Sequence, residues 1–332
     1  MPANWSASAA CLLALISPSG VLQARNKTDQ ESAGAGRGPA SFVVFGDTQQ
    51  MPLFEWAVRG GPKERAQVRE KIKELNPDFI LFAGDAVGEG FLKPFWNSFH
   101  KHYRDLPIWP VLGNHDLHGP RRLGLRYYFQ TFPKVEKRRW YPLRRPPVLV
   151  LMLDSNFKKM SRKESERQMS WLAESLTAAE RDPEIRAVLI VAHHPPYSVH
   201  MGGGEPRVRK AFWDSAAKHA KFVAFFSGHH HAYQHIAVGR RHAFVCGGGG
   251  APLSLFRTAK LPPGASLVRA RMAHHLLHAR IEKDGIRLRM LQLRKNGSWR
   301  EEDTLFLPWP ELRPLRSREK QAAPGAHRGD GR

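Results

Sequence analysis

The stretch Ile108-Trp109-Pro110-Val111-Leu112-Gly113-Asn114-His115-Asp116 sets a short apolar run directly against four residues that seldom share a peptide. An apolar run of this length, closed by glycine, reads as a buried strand that ends in a loop. The tetrapeptide Gly113-Asn114-His115-Asp116 arises by composition in on the order of one chain in a thousand.

The same arrangement recurs on both sides of it. Phe42–Phe45 runs into Gly46 and Asp47, Phe79–Ala83 into Gly84 and Asp85, and Val148–Leu153 into Asp154 and Ser155. Ala187–Ala192 leads to His193 and His194, and Phe222–Phe226 leads to Ser227, Gly228, His229, His230 and His231. Lys63–Leu75 reads as a surface helix stopped by Asn76 and Pro77, and further helices are expected around Gln168–Leu176 and Val208–Lys221. Short apolar runs alternating with helices predict an α/β core that is at least partly parallel. His242–Cys246, His275–Glu282 and Ile286–Leu293 follow without helices between them and predict a β-rich closing half, with a turn at Lys283–Gly285. No internal repeat is present.

Five strand ends therefore present Asp47, Asp85, Asn114 with His115 and Asp116, His193 with His194, and His229 with His231. Ligands of open α/β sheets bind beyond the carboxyl ends of strands, so these side chains can meet in one crevice. Taken singly each is ordinary, since Asp after Gly is usually a turn or cap residue and a loop His needs no special role. Taken together, hard oxygen and borderline nitrogen donors suit Mn, Fe or Zn, and this many ligands would serve two ions.

In the order D-x-H, G-D, G-N-H-D, H, G-H-x-H, these blocks resemble those of the calcineurin-like metallophosphoesterase superfamily, across about residues 41–300. Trp171 with Leu172, the His193-His194-Pro195-Pro196 segment and Gly247–Gly250 add to the resemblance. It implies a four-layer α/β/β/α sandwich, two mixed β-sheets flanked by helices, with the metal site at the strand C-terminal ends. It also implies a first metal on Asp47, Asp85 and His231 and a second on Asp85, Asn114, His193 and His229, with Asp85 bridging. His115 would be the acid beside the leaving group, oriented by Asp116, while His194 and His230 would be neighbours without a ligand role. The implied activity is hydrolysis of phosphate mono- or diesters by a hydroxide bridging two divalent metal ions. The alternative is a non-catalytic or weakly catalytic protein on the same fold that binds anions or nucleic acid.

Two departures qualify the resemblance. The third position of the first block is Gln49 where the common pattern has histidine, so Gln49 either offers its carbonyl oxygen to the first metal or yields the position to water. Purple acid phosphatases, a branch of the superfamily, carry a tyrosine three residues after the bridging aspartate and a glycine two after the first. Gly88 and Gln49 stand there in this chain, which argues for a plain Mn, Fe(II) or Zn site.

The chain has 332 residues, 42% of them hydrophobic and 25% charged, enough for a full core. Its net charge of +22 favours anions such as phosphate esters, nucleic acid or acidic membrane surfaces, and with the resemblance above the expected partner is a phosphorylated small-molecule or nucleotide substrate. Between Leu117 and Pro147, Tyr127, Tyr128, Phe129, Phe132, Trp140 and Tyr141 interleave with Arg121, Arg122, Arg126, Lys134, Lys137, Arg138, Arg139, Arg144 and Arg145. Such a pattern can bind single-stranded nucleic acid. The favoured reading is that the aromatics pack a loop and one strand beneath the site, with the arginines solvated at its rim.

Cys11 and Cys246 are the only cysteines and offer no disulfide framework. Residues 1–24 order an apolar run, Ala9–Ile16, before Leu22-Gln23-Ala24 as an export signal would, though without a basic start; export is expected if they are a signal, a cytoplasmic place otherwise. Residues 25–40 read as a linker, 41–310 as the metallophosphoesterase domain and 311–332 as a basic tail, with no segment of membrane-spanning length. No G-x-S-x-G elbow and no phosphate-binding G-x-x-x-x-G-K-[ST] loop is present, which excludes the usual serine hydrolase and P-loop settings.

Overall fold

The structure, a computed structural model, describes residues 40–51, 61–254 and 259–311. The expected export segment 1–24, the linker up to residue 39 and the tail from residue 312 lie outside the described residues.

In chain order the main elements are β1 (Ser41–Phe45), α1 (Pro62–Leu75), β2 (Phe79–Phe82), α2 (Lys93–Tyr103), β3 (Ile108–Pro110), α3 (Arg121–Thr131), β4 (Tyr141–Arg145), β5 (Val148–Met152), α4 (Arg162–Arg181), β6 (Ala187–Val191) and β7 (Phe222–Ser227). Then come β8 (Tyr233–Val238), β9 (Arg241–Cys246), β10 (Ala265–Arg271), β11 (His275–Ile281), β12 (Gly285–Leu293) and β13 (Trp299–Pro308). They form two mixed sheets flanked by helices, with strand orders β13-β12-β11-β1-β2-β3 and β10-β8-β9-β7-β6-β5-β4.

β1, β2 and β3 run parallel to one another, as do β5, β6, β7 and β9. Both faces of such strands are covered, which is why they read as continuous apolar runs. Val148, Val150 and Met152 of β5 point into the core shared with β1 and β2, whereas Leu149 and Leu151 join Leu172, Leu176 and Ala179 of α4 in a second core. Alternation along one strand thus divides the interior into a layer between the sheets and a layer under the helix. On the other sheet Val68 and Ile72 of α1 and Trp96 and Phe99 of α2 pack into the first core.

Helix ends follow local chemistry. α1 has proline in its first turn and closes on Asn76 in the left-handed region, whose N–H reaches the carbonyls of Ile72 and Lys73, before Pro77. α4 starts with a reciprocal capping box between Ser161 and Glu164.

Three expectations need correction. The helix expected over Val208–Lys221 is a short α turn at Pro206–Val208, a π-helical turn at Arg209–Trp213 and another α turn at Asp214–Ala216. Consecutive Phe212 and Trp213 are both buried, and the wider π turn accommodates two large neighbours on one face. The Leu117–Pro147 stretch contributes a helix, α3, as well as a strand, and Tyr128, Phe132 and Tyr141 lie in the core. Its cations are only partly solvated: Arg139 is buried against Asp154 at 2.7 Å, and Lys134 sits 4.6 Å from the centre of the Trp109 ring. The closing strands do not form one half, because β9 extends the second sheet while β11 and β12 complete the first. Among the described residues no helix is long and apolar enough to cross a membrane.

Candidate metal centre

Because the parallel strands of each sheet end side by side, their following loops are neighbours, and hydrogen bonds lock them together. The N–H of Asp47 donates to the Gly84 carbonyl at 2.9 Å, that of Thr48 to Asp85 at 3.0 Å, and that of Gly228 to His193 at 3.0 Å. Asp47, Asp85 and His229 all hold left-handed backbone, with φ of 62, 55 and 70°. Each such conformation costs about 1–3 kcal/mol and persists where the surroundings enforce it, typically at functional sites. Glycines of neighbouring loops make room for the carboxylates: a Cβ on Gly113 would stand 2.0 Å from Asp85 Oδ1, and one on Gly228 2.3 Å from Asp47 Oδ2.

The side chains then meet in an unbroken chain of polar atoms. His193 Nε2 lies 2.9 Å from Asn114 Oδ1 and 3.3 Å from Asp85 Oδ2, and His229 Nδ1 lies 2.9 Å from the same Asn114 oxygen. Gln49 Nε2 stands 3.2 Å from Asp85 Oδ2 and 2.9 Å from His231 Nε2, which is 3.5 Å from Asp47 Oδ1. Outer contacts set the tautomers: His193 Nδ1–H donates to the Ala83 carbonyl at 2.8 Å and His231 Nδ1–H to Pro252 at 2.6 Å, so a neutral ring in each case turns a lone pair inward.

Asp47 is 0% and Asp85 1% exposed, yet among the described residues neither pairs with a Lys or Arg. Burial raises the Asp47 pKa strongly, opposed by His193 and reinforced by Asp85. Burial also works to raise Asp85, but attraction to His193 and a hydrogen bond with it hold the carboxyl below its usual range. Burial disfavours a charged His193, while Asp85 overrides it and lifts that pKa to about 9. The surrounding rings go the other way. Burial, then His193, depresses His229 to about 2, and burial lowers His231. Buried carboxylates need a compensating cation, which a proton on His193 supplies without metal; with that proton displaced, the nitrogen and oxygen lone pairs that face one another at about 3 Å suit a metal ion. The donors present fit divalent metal.

All seven expected ligand residues, Asp47, Gln49, Asp85, Asn114, His193, His229 and His231, are thus brought together. His194 stands closer than expected of a bystander, its ring nitrogen grouped with those of His193 and His229 and its Nδ1 2.8 Å from Ser155 Oγ.

His115 joins the cluster through its N–H, which donates to Asp85 Oδ1 at 2.9 Å. The expected orientation of its ring by Asp116 is corrected: His115 Nδ1–H donates to the Gly88 carbonyl at 2.9 Å, and the Asp116 carboxylate accepts instead from the N–H groups of Asp85, Ala86, Val87 and Gly113. A 3-10 turn at His115–Leu117 places Asp116 on the opposite side from the ring, facing the main chain. The same turn brings the ring of His118 to 4.2 Å from that of His115, a neighbour the sequence reading missed although the spacing of three residues signals a shared face.

By sequence, residues 40–233 match the family described as calcineurin-like phosphoesterase. The chain belongs to the calcineurin-like phosphoesterase family. No curated protein matches it. Among solved structures it is similar to GAP50, the anchor in the inner membrane complex of Plasmodium, at 17% identity over 83% of this chain and 90% of that one, with a TM-score of 0.66. It is similar to purple acid phosphatase PPD1 from yellow lupin (Lupinus luteus) at 15% identity and a TM-score of 0.66, over 82% of this chain but only 54% of that one. PhoD follows at 9% identity, 84% and 71% coverage, and a TM-score of 0.54. At these identities the likeness is one of fold, and the candidate metal ligands of this calcineurin-like phosphoesterase rest on its own geometry.

Proposed function

We propose that this protein is a metal-dependent hydrolase of phosphate esters. The observation that supports the reading best is the unbroken chain of donors from His231 and Asp47, through Gln49 and Asp85, to His193, Asn114 and His229 around two buried carboxylates that have no Lys or Arg partner among the described residues. On this reading Asp47, Gln49, Asp85 and His231 would hold one divalent ion, and Asp85, Asn114, His193 and His229 would hold a second. When bound, Mn, Fe or Zn there supplies Lewis acidity toward phosphate oxygens and lowers the pKa of a water.

The chain's own residues do the rest. Asn114 contributes a neutral oxygen, so the site keeps positive charge to attract a phosphate ester. His115, fixed through Nδ1 by Gly88, exchanges a proton through Nε2 with the departing oxygen. His118 packs on that ring and limits its rotation. The substrate is a phosphorylated small molecule or nucleotide. The aromatic and basic stretch that would favour nucleic acid instead packs Tyr128, Phe132 and Tyr141 into the core.

The test is metal content together with hydrolysis of paired aryl phosphate mono- and diesters by the full chain, beside Asp85→Asn and His115→Ala. Wild type is expected to bind about two metals and hydrolyse one ester class. Asp85→Asn should lose both metal and turnover, and His115→Ala should keep metal and lose about 10²–10⁴ in rate. A chain that takes up neither Mn, Fe(II) nor Zn would overturn the reading.

A further inference from the structure

A groove of about 360 Å³ lies between α1 and α2, with Thr48, Ala86 and Val87, from the loops that carry Asp47 and Asp85, in its wall. It contains none of the expected metal ligands. Its size is within the range of small-molecule sites, and its lining combines an aromatic wall, Phe95 and Phe99, with cations.

Tyr103 provides the sharpest signal. Its ring stacks on Phe99 at 4.6 Å and is 5% exposed, and its hydroxyl has no hydrogen-bond partner among the described residues. A buried phenol without an acceptor costs on the order of 1–3 kcal/mol, so the position calls for an acceptor from outside the fold. Burial pushes the Tyr103 pKa up to about 12, which keeps the hydroxyl a donor.

The charge beside it is positive. The Arg69 guanidinium carbon lies 5.9 Å from the centre of the Tyr103 ring, and Arg65, 8% exposed, lines the same groove and donates to the Gln49 carbonyl at 3.4 Å. His102 at the rim is held below its ordinary pKa first by burial and then by Arg69, Lys101 and Arg65. Glu70, the acidic partner of Arg69 at 3.3 Å, is an exposed side chain shared with Lys73.

We infer that this groove is a second ligand site, which takes a small aromatic oxyanion, its ring against Phe95 and Phe99 and its oxygens toward Arg69, Arg65 and the Tyr103 hydroxyl. A guanidinium and a phenol together recognise an oxyanion of either carboxylate or phosphonate type, and a ring between Phe95 and Phe99 gains apolar burial. The site does not depend on hydrolysis at the metal centre. Its occupant touches the backs of the loops that carry Asp47 and Asp85, and through Arg65 the carbonyl of Gln49.

Calorimetric titration of the metal-loaded full chain with benzoate and with phenylphosphonate tests this. Saturable binding at millimolar concentrations or below is expected for wild type. Arg69→Gln should weaken it about tenfold or more, and Tyr103→Phe about fivefold, while both keep metal content and unliganded melting temperature. Tyr103→Phe removes only a hydroxyl that lacks a partner among the described residues, so it keeps the fold. Asp85→Asn strikes the metal centre and should leave this binding in place. Absence of binding, binding indifferent to both groove variants, or binding lost only in Asp85→Asn would overturn the inference, the last by placing the probe at the metals.

Discussion

The main-chain N–H of Asp85 donates to the Asp116 carboxylate at 3.1 Å, so the last residue of the Gly113–Asp116 motif holds the loop that carries the proposed bridging ligand. The N–H groups of Ala86, Val87 and Gly113 end on the same carboxylate. Asp116 is therefore a brace between two metal loops. Asp116→Asn turns an amide N–H₂ toward these donors and should cost about 2–4 kcal/mol of stability. Metal content should fall with it while the His115 contact to Gly88 is untouched. A melting curve and metal analysis check this, and full metal content at unchanged stability would contradict it.

Gln49 is the departure with the clearest consequence. Its Nε2 stands between Asp85 Oδ2 and His231 Nε2, and its Oε1 is buried without a partner among the described residues. The two ends of a side-chain amide are nearly equal in shape, so rotation about the last torsion offers the oxygen to a cation at the same place. Gln49→Leu should weaken one of two metals by about 10–100-fold with the other retained, and Gln49→His should restore it. Calorimetric metal titration distinguishes this from equal weakening of both sites.

Much of this arrangement was legible in the sequence because parallel strands covered on both faces are continuous apolar runs, and each ends in a residue with metal-ligating chemistry. Asp47, Asp85 and His193 follow Phe42–Phe45, Phe79–Ala83 and Ala187–Ala192 without any intervening pattern to decode. The edge strands were not legible. β13 is Trp-Arg-Glu-Glu-Asp-Thr-Leu-Phe-Leu-Pro with most side chains exposed or half-buried, and β10 is exposed along its middle, so neither carries a hydrophobic alternation. The role of Asp116 was illegible for another reason: a motif records which residues recur together, and only the 3-10 turn decides which of them face one another.

Asp303 of β13 shows what such an edge strand contributes. Its carboxylate accepts from the Tyr233 hydroxyl at 2.7 Å and pairs with His235 Nδ1 at 2.9 Å, both on β8 of the other sheet. One side chain thus ties the two sheets at the side away from β3 and β4. Asp303→Ala leaves both partners without their acceptor and should cost about 2–4 kcal/mol, whereas Tyr233→Phe should cost about 1 kcal/mol. Turnover per folded molecule should be unchanged in both, since neither residue touches the metal cluster. Urea denaturation beside specific activity checks the pair; lost activity at full stability would contradict it.

His275 predicts an acid sensitivity separate from the metal centre. It is completely buried on β11 and donates through Nδ1 to the Ala273 carbonyl at 2.8 Å. Burial, offset in part by the Ala273 carbonyl, depresses its pKa from 6.5 to about 4. In the unfolded chain it takes a proton near 6.5, so between about 6.5 and 4 the unfolded state binds more protons than the native state. Its contribution is therefore fully present above pH 6.5, falls as the pH drops toward 4, and levels off below. The slope is about 1.4 kcal/mol per pH unit, on the order of 3 kcal/mol across the window. His275→Gln keeps a donor for Ala273 without a titrating ring, and it should flatten the stability profile over that window relative to wild type while metal-linked losses remain common to both. Parallel slopes for the two proteins would show that His275 titrates in the native state as freely as in the unfolded chain.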